Sequence, residues 1–548
     1  MVDSGRKSST DSLLAPATPY GEEYLAKTMS QKETYQGNGE PIRNSVGSQR
    51  NSISSDHFSD DDDENIVMGY SADVSLELGI KRTPTILDRI QSRYSFFNEK
   101  LHSQRKSLVW TFLTVYFIMA FFVISIFSIY WGSMYGRDGR VRNLKMLVVI
   151  EDDIVINGTQ PVVGDFFQQL LTNNKQTRPL GDWRVYNSST LTELKSDKGR
   201  TTEEEIIYQI HHQNFWSSIW VKPNSSYNYV QALESSDPSL FNTSIVTIYE
   251  TGRDFTNVPA YVTPQIRKIE SIWLAQQPTI LGQLFNNTFF NMNKETFKIV
   301  STPWNFDWDD LIPFTDPVLV APSQVGLIYI IIMTFFQVGF FADTHKKVAQ
   351  EFHLKPLHYV MYRYFSACMT YLVLSLAYCF VTLAFQVDFT KAFGRAGFVV
   401  FWMSSFLTMF VVGFANEIMG MFFIMVYPSL VGFWLLFWVI SNIAPTFAPL
   451  ALSPEFFRYG YAMPLHNSYD ITKVIFFNTY KGGLGRNYGI LAAWVVLLSA
   501  AFPFVLKIFG NFMRKQMAAA QQQQTLPPPS PPPAQDSQNT SSGTDLEK

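Results

Sequence analysis

Residues Leu108–Trp131 read LVWTFLTVYFIMAFFVISIFSIYW, an apolar run without a charged side chain. At ~1.5 Å per residue, a helix of this length covers the roughly 30 Å hydrocarbon core of a bilayer. Each central Leu, Ile or Phe favours insertion by roughly 0.3–0.6 kcal/mol, so the sum lies on the inserted side. More than a hundred residues precede the run, which makes it an expected signal-anchor rather than a cleaved leader.

Five further apolar stretches follow, at 322–342, 364–386, 398–415, 421–443 and 488–509. The expected fold is therefore an α-helical polytopic membrane protein with six transmembrane helices. Whole-chain averages conceal this, at 47% hydrophobic, 16% charged and net charge −3. Phe is the clearer signal: 47 residues, concentrated in the middle of the chain, suit lipid contact better than a soluble core. The fourth and fifth spans are expected to meet at a tight turn near Asn416-Glu417.

Between the first two spans lies a block of some 190 residues, 132–321, large enough for a whole domain. It holds five glycosylation sequons, at Asn157, Asn187, Asn224, Asn242 and Asn286, and the remaining match, at Asn539, falls in a polar tail. Sugar is added only to chain that enters the secretory lumen, so this clustering predicts an outward-facing domain. The basic residues Arg105, Lys106, Lys346, Lys347, Lys355, Arg363, Arg514 and Lys515 mark the opposite, cytoplasmic side. Arg137, Arg140, Arg142 and Lys145 are the contrary signal, since they put positive charge just outside the first span. The sequons and the other basic segments outvote them, placing both termini in the cytoplasm.

Inside the outer block, Leu144–Ile150 and 243–249 read as strands, while Gly164–Asn173 and Glu203–Trp216 read as helices, so an α/β domain is expected. Cys368 and Cys379 both fall in the third span and cannot staple that domain; they are expected to pack as small apolar groups.

Residues 1–87 are polar and aperiodic, a disordered tail by composition. Ser9, Ser45, Ser52 and Ser59 are its phosphorylation candidates, which implies a kinase partner. In and just before residues 88–107, Leu87, Ile90, Tyr94, Phe97 and Leu101 fall on one helical face. The segment forms either an interfacial helix or a polar extension of the first span. Residues 511–548, with AAAQQQQ and two proline triplets, are expected to be a disordered Gln/Pro-rich tail. The connector 445–487 is rich in Pro, Phe and Tyr and is expected to form short re-entrant helices at the outer interface.

There is no P-loop, no G-x-S-x-G elbow and no H-E-x-x-H, so neither enzyme chemistry nor a cofactor is expected. Adjacent His211 and His212 diverge by about 100 degrees on a helix and suit a polar surface better than one metal ion. Polar groups at membrane depth are costly and tend to be functional. Gln337, Asp343, Asn416, Glu417 and Asn442 are the pathway candidates, with helix capping or interhelical hydrogen bonding as the structural alternative. Glu417 is expected at the cytoplasmic boundary, where water reaches it.

Ser128-Ile-Tyr-Trp-Gly-Ser-Met-Tyr135 with Asn143-Leu144, Ala321–Tyr329, Phe457–Asn467 and Gly485–Trp494 together resemble the fungal nitrosoguanidine-resistance membrane proteins of DUF3533 type. That family is similar in layout to ABC-2-type permeases and YhgE/Pip proteins. The resemblance implies a plasma-membrane permease that exports a small toxicant or a phospholipid. It also implies a separate ATPase subunit, since this chain carries no P-loop, and it allows a homo-oligomer; no nucleic acid is implied. The alternative is a non-transporting regulator or scaffold of lipid asymmetry and drug entry.

Overall fold

The computed structural model describes residues 96–194, 199–241, 244–285 and 292–525. The four serine candidates, Asn242, Asn286 and the proline triplets lie outside the described residues, as do residues 88–95 of the expected interfacial helix. Residues 102–107 belong to the first long helix, α1 (His102–Met134).

After α1 the chain builds a five-stranded sheet. Its strands are β1 (Lys145–Ile150), β2 (Asp182–Asn187), β3 (Ser217–Val221), β4 (Ile245–Tyr249) and β5 (Asp307–Asp310), in the order β2-β1-β3-β4-β5. β1 runs parallel to β2 and β3, β4 is antiparallel to β3, and β5 is parallel to β4. Alternation along β1 sorts its side chains between two cores. Met146, Val148 and Ile150 join Phe167, Tyr229 and Trp273 on one face, whereas Leu147 and Val149 join Ile206 and Ile210 on the other. Helices α2 (Val162–Thr172), α4 (Ser225–Ser235) and α5 (Thr263–Phe285) supply the first face, and α3 (Thr202–His211) supplies the second. This is the expected α/β domain. Its helix at 203–216 is shorter than expected, ending at His211 so that Ser217 can open β3.

Among the described residues, five helical stretches are long and apolar enough to cross a membrane: His102–Met134, Pro317–Glu351, Pro356–Ala384, Thr390–Val426 and Lys481–Ala519. A sixth apolar helix, Pro428–Ile443, is shorter. At ~1.5 Å per residue its 16 residues cover about 24 Å, less than the hydrocarbon core. The helices used below are α6 (Gly326–Phe340), α7 (Ala342–Glu351), α8 (Pro356–Ala384), α9 (Gly397–Val426), α10 (Val431–Ile443), α11 (Pro464–Phe477) and α12 (Leu484–Thr525).

Three expectations are corrected. The turn between the fourth and fifth spans is not at Asn416-Glu417, because α9 runs unbroken through both. The chain turns where Tyr427 adopts an extended conformation ahead of Pro428, which cannot continue a helix. The tail is not irregular from residue 511, because α12 continues to Thr525 through Ala and Gln, both good helix formers. The connector 445–487 does form short helices, Glu455–Ala462 and Pro464–Phe477, but it packs into the protein rather than lying at an outer interface. Leu452 is fully buried in the core of the α/β domain, and eleven of the fourteen residues of α11 are buried.

Candidate functional site

The thirty residues of α9 carry polar groups into the bundle. Asn416 and Glu417 are neighbours and so point about 100 degrees apart, each toward a different helix. Asn416 Nδ2 donates to Ile331 O at 3.1 Å and Thr334 Oγ1 at 3.2 Å on α6, while its Oδ1 accepts from Trp434 Nε1 at 3.1 Å on α10. One amide therefore ties three helices together.

Glu417, 3% exposed, pairs with Arg363 of α8, 8% exposed. Glu417 lies nine residues before the end of α9, about 14 Å along its axis. The boundary placement expected for this carboxylate is thus corrected: its charge is met by a partner inside the protein rather than by water. Arg363, expected as a cytoplasmic marker, lies two turns inside α8, which begins at Pro356. The pair is incompletely satisfied, since Arg363 Nε and Glu417 Oε2 have no hydrogen-bond partner among the described residues. The Tyr371 hydroxyl and Gln337 Oε1 are likewise buried without one.

Of the other pathway candidates, Gln337 is buried on α6 and Asp343 is exposed in the first turn of α7. Asn442 is fully buried and accepts from Leu465 N at 3.3 Å, joining α10 to the start of α11. The structure gathers Asn416 and Glu417 on α9 and leaves Asp343 and Asn442 elsewhere. Sequence reasoning misses the pairing role of Arg363 and the burial of Tyr371. One carboxylate inside an apolar run is the available signal that a buried cation should exist.

A second polar focus lies where the α/β domain meets the bundle. His211 Nδ1 is 2.9 Å from Glu250 Oε1, and Glu250 is 1% exposed. The Glu250 hydrogen bond raises the His211 pKa above its ordinary 6.5, with burial and Lys481 opposing. Nearby Arg253 donates to Phe215 O and stacks on Trp216, and burial pushes its pKa down to about 10. Asp254 accepts from Asn257 Nδ2, which also reaches Phe447 O at 3.1 Å. His211 is therefore a half-buried partner of a buried carboxylate rather than a purely surface group. Among the described residues, no group of three or more His, Cys, Asp or Glu side chains is placed to hold a metal ion.

Of the sequon asparagines that are described, Asn157 is exposed while Asn187 and Asn224 are half-buried, and all three lie in the α/β domain.

Long apolar helices around buried polar pairs, with a large α/β domain inserted after the first, define a multi-pass membrane protein. The chain belongs to the DUF3533 family, described as protein of unknown function, which it matches over residues 115–500. It is 35% identical over 425 residues to an uncharacterized endoplasmic reticulum membrane protein of Saccharomyces cerevisiae, covering 75% of this chain and 82% of the relative. No solved structure matches the chain.

Proposed function

We propose that this chain is a six-span permease-like protein that moves a small toxic compound or a lipid outward across a membrane. The Arg363–Glu417 pair carries this reading, because an ion pair with unmet hydrogen-bonding capacity at membrane depth is costly to keep. The proposed membrane is the plasma membrane, with the glycosylated α/β domain outward and both termini cytoplasmic. The yeast relative's name points to the endoplasmic reticulum instead, and fluorescence microscopy of the tagged chain decides between them.

A second reading is favoured by the pairing itself: Glu417 is already neutralised by Arg363, as in a structural lock between α8 and α9. Under that reading the protein is a regulator or scaffold. Breaking a buried pair by removing one partner costs about 3–5 kcal/mol, so Glu417→Gln alone lowers abundance under either reading. The informative variant combines Arg363→Gln with Glu417→Gln, which removes both charges. Export of nitrosoguanidine and of fluorescent phospholipid from sealed liposomes is measured. The permease reading expects the double variant to be folded but inactive; wild-type export by that variant would remove the pair from the pathway.

A further inference from the structure

The junction between the α/β domain and the bundle contains a cleft of about 520 Å³. Burial separates its floor from its rim. Glu250 and Phe477 are buried, Leu311 and Ile312 are half-buried, and Lys391 is exposed. The floor holds an unusual carboxylate. Glu250 Oε1 is engaged by His211, but Oε2 is buried with no hydrogen-bond partner among the described residues. A buried acceptor left unpaired costs about 1–3 kcal/mol, more for a charged group, so a donor that reached it would recover that cost. A smaller cavity of about 260 Å³ beside Trp220 and Lys222 has no such unpaired buried atom in its lining.

We propose that the junction cleft binds a ligand that joins a primary ammonium group to an apolar body. The ammonium donates to Glu250 Oε2, and the apolar part lies against Leu311, Ile312 and Phe477. A primary ammonium has three N–H donors, whereas a quaternary ammonium has none and leaves Oε2 unpaired. Lys391 at the rim supplies a positive charge for a phosphate joined to that amine. The same chemistry is offered by an aminophospholipid headgroup and by a free alkylamine. The assignment concerns binding at the junction and stands whether or not the bundle transports.

The test is calorimetric titration of the full-length, detergent-purified protein with octylamine, short-chain phosphatidylethanolamine and short-chain phosphatidylcholine. Phosphatidylethanolamine or octylamine is expected to bind at least about tenfold more tightly than phosphatidylcholine, the factor for one lost charge-assisted hydrogen bond. Binding of octylamine alone assigns a free amine as the source, and preferred binding of phosphatidylethanolamine assigns the lipid. Glu250→Gln should weaken either by about tenfold or more. Leu311→Trp, which fills the cleft and leaves the carboxylate intact, should do the same, and it serves if the Glu250 variant fails to fold. Measurable binding of both phospholipids with equal affinity, no binding of either amine, or wild-type binding by the folded variants would overturn the proposal.

Discussion

His211 shows how one contact changes the behaviour of a side chain. Glu250 raises its folded-state pKa above 6.5, so the protonated form is favoured by folding. That stabilisation is fully present below about pH 6.5 and is lost as pH rises through the folded value. Hydrogen exchange of α3 and β4, corrected for the intrinsic rise of exchange with pH, should therefore quicken as pH rises above about 6.5 in the wild type. His211→Gln should flatten this dependence, and an unchanged pH response in that variant would discard the linkage. The histidine doublet is visible in the sequence, but Glu250 lies 39 positions away and only folding brings it within reach. The same holds for Glu417, whose position inside an apolar run is legible while its partner, 54 positions earlier, is not.

At the scale of elements, α9 illustrates what a run of apolar residues leaves open. Asn416-Glu417 resembles a turn because polar residues interrupt the hydrophobic pattern. A helix is interrupted by lost backbone hydrogen bonds, however, and Pro428 rather than the polar pair removes one. Close packing of α9 on α8 rests on Gly413, where an added Cβ would lie 2.5 Å from the Tyr371 ring. Gly413→Ala should destabilise the protein by about 1–3 kcal/mol through overpacking. A Cβ added at Gly282 on α5 would meet nothing within 4 Å among the described residues beyond its own helix backbone, so Gly282→Ala should stabilise by about 0.5–1 kcal/mol. Thermal unfolding of the two variants in parallel checks the contrast; equal shifts would show that backbone entropy rather than packing governs both sites. The edge strands β2 and β5 escape sequence reading for a related reason. Asp307–Asp310 is mostly acidic and pairs as a strand only because β4 offers it an edge.

Across the whole molecule, the α/β domain is completed by a segment from far along the chain. Leu452 is fully buried in the core with Trp273 and Trp304, and Asn143 Nδ2 donates to Ala451 O at 3.2 Å. Arg140, which runs against the charge pattern after the first span, donates to Tyr135 O and Leu452 O. Leu452→Ala should cost about 2–5 kcal/mol, as deletion of a buried leucine does. Hydrogen exchange should locate the loss in residues 137–316; an effect confined to 445–487 would show that the loop does not support the domain.

Local properties of the chain are enough to establish the membrane helices, the inserted domain and its first strand. Hydrophobic length and alternation are both carried by residues close together in sequence. Pairings between distant residues come only from three-dimensional packing: Arg363 with Glu417, His211 with Glu250, and Leu452 with the sheet core. No local pattern encodes them, because each is set by which helices and loops come together when apolar surface is buried and the remaining polar groups must find partners.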